Sequence, residues 1–215
     1  MRPIYLDIDP ADANLTGYLS NATGAGPFTM TTTNSGDNLA HQVSIRNDSA
    51  TDLSGSTFTL TGTDADGRAI TEAVAGPTAS ATVESAKYFL TFTSATVDVS
   101  LAADTVDFGW VDEFATQTIP LEAYSTSPAV VQVVVTGTIN YDVEETYDNV
   151  FSTLAPDGST WDEQADFTWV NSGNFAGATT TLDAELTNRG VRAMRVVVNS
   201  YTNTAELKVS IISPY

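Results

Sequence analysis

The 215 residues carry 27 acids against 8 bases, a formal charge of -19, with no cysteine and a single histidine, His41. This charge opposes a nucleic-acid partner, because affinity for a phosphate backbone comes from Lys and Arg displacing condensed counterions. The scarcity of His and Cys removes the usual nucleophiles, general bases and multi-His metal sites, so a binding or building role is expected, with no catalytic residue, cofactor or metal ligand.

At 42% hydrophobic residues and 9% aromatics the chain can bury a core. The charge is spread evenly: 15 acids and 4 bases lie up to Ala115, 12 and 4 beyond it. An even acidic surface of this kind favours solubility and complements a basic protein surface. The first residues, MRPIYLDIDPADANL, have no apolar leader segment, and no window approaches the roughly 18 apolar residues of a membrane helix. No membrane partner is therefore expected, and absent Cys fits assembly in a reducing cytosol.

In chain order, residues 1–40 read as an extended N-terminal arm. Pro3, Pro10, Gly17, Gly24, Gly26 and Pro27 interrupt any helix, and only Tyr5, Leu6, Ile8, Phe28 and Met30 offer anchors. From Gln42, Val43 and Ile45 alternate with Ser44 and Arg46, a half-buried strand ending at Asn47-Asp48. Residues 56–77 form the clearest unit. Phe58 and Leu60 alternate with Thr57, Thr59 and Thr61, Asp66-Gly67 supplies a tight turn, and Ile70 and Val74 resume the apolar face, which predicts a hairpin. KYFLTFT (87–93), residues 94–99 and TVDFGWV (105–111) are further strands.

Pro120 and Pro128 disfavour central pairing and place a domain boundary between Thr118 and Pro128. Beyond it, Val131, Val133 and Val135 oppose Val130 and Val134, predicting a strand covered on both faces; Ile139, Tyr141 and Val143 then alternate with polar residues. Residues 148–190 read as loop, with a turn at Pro156-Asp157-Gly158 and anchors at Trp161, Phe167 and Trp169. Two strands close the chain, the second with Leu207, Val209 and Ile211 on one face, and Asn199 to Thr204 turns between them. The class is all-β: two β-sandwich domains of Ig-like or jelly-roll type, 41–118 and 119–215, preceded by the arm 1–40.

Five features bear on chemistry, each beside a plainer reading. Asp64-Ala65-Asp66-Gly67 starts like a calcium loop, but Arg68 and Ala75 stand where an EF-hand needs an Asx and a Glu, so a hairpin turn explains it better. Asp142, Glu144, Glu145 and Asp148, with Asp157, Asp162, Glu163 and Asp166, could pair as glycosidase carboxylates or bind a hard cation, but a solvated acidic strand face and loop explain them more simply. His41 alone builds no metal site and has no visible acyl-transfer partner. Arg189, Arg192 and Arg195 cluster, but Arg192 and Arg195 fall on opposite strand faces, so pairing with nearby acids is favoured over a phosphate site. Trp110, Trp161 and Trp169 read as buried aromatics rather than a carbohydrate-stacking platform.

Two stretches carry a resemblance: residues 41–97, with "TGTDADG", the "EAVAGP" exit and "KYF", and residues 133–152 with 191–210, containing "VVVTGTINYDVEETY" and "VRAMRVVVNSYTNTAELKVS". They resemble small structural proteins of tailed bacteriophages, of the capsid decoration or cement type. The resemblance implies a virion protein on the outer capsid surface, made in the host cytoplasm, partnered by the major capsid protein and assembled as a homotrimer. It carries over no functional residues. A phage tail, adaptor or fibre component is the alternative within this group, and a carbohydrate-binding module the alternative outside it.

Overall fold

A computed structural model describes residues 3–121, 127–150, 167–188 and 190–212. Among the described residues the protein is all-β, with several sheets and no helix. A far-UV circular dichroism spectrum is expected to show β signal alone; helix approaching the ~30% of an average globular domain would contradict the fold.

The chain divides into two compact units, one made of residues 1–10 and 115–215, the other of Ala11–Phe114. The second unit, contiguous in sequence, is built on two sheets. One contains β2 (Asn14–Ala22), β4 (Ala40–Asn47), β7 (Thr82–Phe89) and β9 (Val106–Ala115), with β4 between β9 and β7 and β2 against β9. The other runs β3 (Phe28–Thr29), β8 (Thr91–Val97), β5 (Thr57–Thr63), β6 (Ala69–Ala75). The predicted hairpin is β5–β6, antiparallel from Thr57↔Ala75 to Thr63↔Ala69, with Gly67 at a positive φ in its turn. Its inward residues Phe58, Leu60, Ile70 and Val74 join Val43, Ile45, Phe92 and Phe108 in one aromatic-rich core.

KYFLTFT is not one strand. β7 ends at Phe89 and β8 starts at Thr91, so the segment turns a corner from one sheet to the other. The reason lies in its spacing. Phe89 and Phe92, three apart, would face opposite ways in a single strand; with the break at Leu90 both are fully buried, their rings 5.9 Å apart.

The first unit holds the sheet β1 (Ile4–Ile8), β16 (Glu206–Ile212), β11 (Val130–Thr136), β14 (Leu182–Glu185), and a second group in which β15 (Ala193–Tyr201) pairs β12 (Ile139–Thr146) and β10 (Ile119–Pro120), while β13 (Val170–Asn171) pairs β12. Leu207, Val209 and Ile211 form the buried face of β16, as alternation predicts. Residues 148–190, read as loop, contain the short strands β13 and β14. β11 corrects another expectation: only Val131 and Val133 are buried, and Val134 is 38% exposed, so this strand is covered on one face. Valine on both faces suggests a central strand, but Gln132, on the face of Val130 and Val134, marks the open side.

The arm also needs correction. Residues 4–8 form β1, antiparallel to β16 from Ile4↔Ile211 to Ile8↔Leu207. Residues 14–22 form β2 on β9, and Tyr18, fully buried, packs on Trp110 and Phe92 with centroids 5.0 and 5.3 Å away. Glycine and proline here shape strand geometry instead of loosening the chain: Gly17 leaves room for the Trp110 ring, which a Cβ at this position would meet at 2.0 Å. The boundary falls at Phe114/Ala115, just before the expected 118–128 stretch, because β9 continues past Val111 with Phe114 and Ala115 buried.

Candidate functional site

Among the described residues, the charged and aromatic groups singled out from the sequence lie on strands or in the turns beside them. In the hairpin turn, Asp64 is buried; one carboxylate oxygen accepts the backbone N–H of Asp66 and of Arg68, at 2.9 and 2.8 Å, while its carbonyl accepts that of Gly67. Burial raises its pKa. This is an Asx-type turn closing two strands. Among the described residues no group of three or more acidic or histidine side chains is arranged to hold a metal.

The acids of β12 diverge. Asp142 accepts Gly177 N–H and the Asn199 amide. Glu144 lies opposite Arg195 in register and takes its Nε at 2.6 Å, and the Arg195 guanidinium also sits 4.4 Å from the Trp169 ring centroid. Glu145, on the other face and fully buried, is held by Asn188, and burial raises its pKa. Asp148 accepts the Thr168 amide. Asp157, Asp162, Glu163, Asp166, Trp161 and Arg189, like the turn at Pro156, lie outside the described residues.

Arg195 thus pairs with an acid, while Arg192, which precedes β15, bonds through its backbone to Thr146 and Leu121. Arg195→Ala is expected to lower the stability of the first unit by about 3 kcal/mol, because it strands Glu144 and uncovers Trp169. A thermal melt checks this; a loss below about 1 kcal/mol, the value of an exposed pair, would show the bridge to be ornamental. Trp110 is buried, and its indole N–H donates to the Asp12 carbonyl at 2.9 Å.

His41 was visible in the sequence but its partner was not. The ring is fully buried; Nε2 lies 2.8 Å from Asp37 Oδ2 and Nδ1 3.0 Å from the Val111 carbonyl. Asp37 also accepts the amides of Ala11 and Leu39 and the Ser35 hydroxyl. Asp37 ahead of β4 was the available signal, since an Asx turn there accounts for its bonds to Ser35 and Leu39, though not for the one from Ala11. Burial pushes the Asp37 pKa up, but the His41 hydrogen bond and charge, with the Ala11 and Ser35 bonds, outweigh it and hold the carboxyl at about 2 against an ordinary 3.8.

Because the folded pKa lies below the unfolded one, this carboxylate contributes stability above about pH 4 that is lost as pH falls toward 2, amounting to about 2 kcal/mol. Unfolding curves of wild type and Asp37→Asn between these values should converge at the acid end. Parallel curves would show that Asp37 is not the titrating group.

Outward-facing residues form the remaining feature. On the four-stranded sheet of the first unit, Tyr5 is 72% and Ile212 54% exposed, and Val134 shares that face; Lys208 pairs loosely with Asp7 at 4.0 Å. A groove of about 250 Å³ runs along Tyr5, Asp7, Lys208 and Ser210. No described helix is long and apolar enough to cross a membrane. No protein-family model matches the chain, and neither a curated protein nor a solved structure matches it at a significant level.

Proposed function

We propose that the chain is a structural protein of a tailed-phage virion, two β-sandwich domains that bind the outside of the major capsid lattice as a homotrimer and stabilise it. The observation that carries this reading is how the polar groups are used. His41, Asp64, Asp142, Glu144 and Arg195 are each committed to internal ties, while apolar side chains face outward on one sheet of the first unit. A shell protein needs that combination: a rigid framework and a surface on which to dock. The acidic exterior keeps the protein off the packaged genome.

With β1 and β2 built into sheets, bridging between subunits falls to the surface rather than to an arm. Binding the assembled lattice, and not free subunits, stabilises it by mass action, and repetition over many copies multiplies weak contacts. A carbohydrate-binding role finds little support in Trp110, which is buried, or in Trp169, which lies against Arg195.

Purified chain mixed with heads lacking it should co-sediment with them and raise the temperature at which they release DNA. Sedimentation with tails alone would favour the tail or fibre role, and binding to neither, with retention on a glycan array, the carbohydrate-binding module.

A further inference from the structure

The register of the sheet β1–β16–β11–β14 fixes what its outward face carries. Tyr5 lies beside Ser210 and Asp7 beside Lys208; across β16, Val130 lies beside Ile212 and Val134 beside Lys208. Tyr5, Ile212 and Val134 are exposed, and a groove between β1 and β16 passes Tyr5, Asp7, Lys208 and Ser210. Over its four strands the face is about 14 Å wide. A tyrosine ring and two branched side chains held in water over so small an area favour burial against a partner.

Charge decides which partner. The margins of this face are acidic: Asp7 and Glu206 lie toward one end, and Asp183 beside Gln132 and Glu185 beside Val130 line the β14 edge. Lys208, exposed and 4.0 Å from Asp7, is the one base on the face among the described residues. A second copy, with 27 acids to 8 bases, brings a like-charged surface, and nucleic acid or an anionic membrane brings phosphate. All three meet repulsion at the rim. A protein surface with Arg or Lys around an apolar hollow is the complement, because its cations reach the rim acids while Tyr5 and Ile212 enter the hollow. Tyrosine suits that place, with a ring to bury and a hydroxyl to leave at a polar margin.

Resting on the reading of the chain as a lattice-binding protein, we propose that this face is its docking surface and that the lattice meets it with an apolar hollow rimmed by Arg or Lys. Tyr5 and Ile212 are the buried anchors; Asp7, Asp183, Glu185 and Glu206 select a cationic partner and turn away other copies of the chain. The two sets act on different quantities. Anchors set how long the complex lasts, and rim charges set how fast it forms and how strongly salt weakens it.

Heads lacking the chain are the probe, and co-sedimentation of the purified whole chain measures its affinity for them. Wild type is expected to bind about tenfold more weakly at about 0.5 M salt than at about 0.05 M. Tyr5→Ser with Ile212→Ser, and Asp183→Lys with Glu185→Lys, should each weaken binding about tenfold or more at low salt, the second pair also flattening the salt dependence. All four side chains are exposed, so both variants should melt like wild type. Glu84→Lys with Asp52→Lys makes the same charge change on exposed acids of the second unit and should bind within about twofold of wild type. Face variants that bind heads like wild type overturn the proposal and leave the lattice reading standing; so does an equal loss in the Glu84 and Asp52 pair. A wild-type affinity indifferent to salt overturns the basic partner, and this result needs no variant to fold. Face variants that lose self-association and keep the heads make a second copy the occupant, and the proposal falls. Wild type that binds no heads removes the lattice reading and this partner with it.

Discussion

Gly109→Ala should destabilise the second unit by about 3 kcal/mol or more, among the larger single-site effects expected of this chain. Gly109 lies in β9 where β2 crosses it, and a Cβ there would meet the Asn14 carbonyl oxygen at 1.9 Å and the Leu15 backbone at 2.4 Å. No side chain can swing aside, because both obstacles are main chain. β2 is itself fastened nearby: Ala13 donates to Asp112 and the Trp110 indole donates to the Asp12 carbonyl. Accommodating one methyl therefore means lifting β2 and with it Tyr18 from the core. Gly55→Ala is the control, since a Cβ at Gly55 meets nothing within 4 Å, and it should melt within about 0.5 kcal/mol of wild type. Equal melting of the two variants would show that β2 does not lie against β9 as described.

Truncation has the second large effect. Removing residues 1–36 deletes β1, β2 and β3, and with them Tyr18 and Phe28 from the aromatic core. Loss of one buried aromatic costs about 3 to 5 kcal/mol, and two with their strands are comparable to the 5 to 15 kcal/mol that hold a typical domain together. The truncated chain is expected to be unfolded or aggregated. Removing residues 1–10 alone should act on the first unit only, exposing the β16 edge, while Ala11–Phe114 keeps its own transition. Calorimetry distinguishes these outcomes. A cooperative melt in the longer deletion would restore the view of residues 1–36 as a dispensable arm.

Legibility in the sequence followed the range of the interactions. The β5–β6 hairpin was readable because its signals are local: period-two alternation and Asp66-Gly67 at the turn. β16 was readable for the same reason, through Leu207, Val209 and Ile211. The β1 partner was not, since Ile4 meets Ile211 at the far end of the described chain and nothing near Ile4 announces it. Gly and Pro in residues 1–40 carried a misleading message, because close strand crossing and disorder draw on the same residue types. Among the polar groups, the Glu144 to Arg195 pairing was foreshadowed as acids meeting a basic cluster, whereas Asp37 binding His41 required knowing that the loop folds back on β4.

The pairing of β1 with β16 also orders events during synthesis. Ala11–Phe114 is continuous, so its own strands can pair with one another while the ribosome is still adding the residues that follow. Ile4, Leu6 and Ile8 leave the tunnel before that unit, yet the β16 strand they pair with is absent until Leu207, Val209 and Ile211 emerge. Through that interval an apolar strand edge is available to any neighbouring nascent chain. The residues around it answer that exposure: Asp7 and Asp9 add like charge, and Pro3 and Pro10 cannot donate to a foreign ladder. Pro3, Asp7, Asp9 and Pro10 are thus placed to act as gatekeepers beside β1 until its later-made partner arrives.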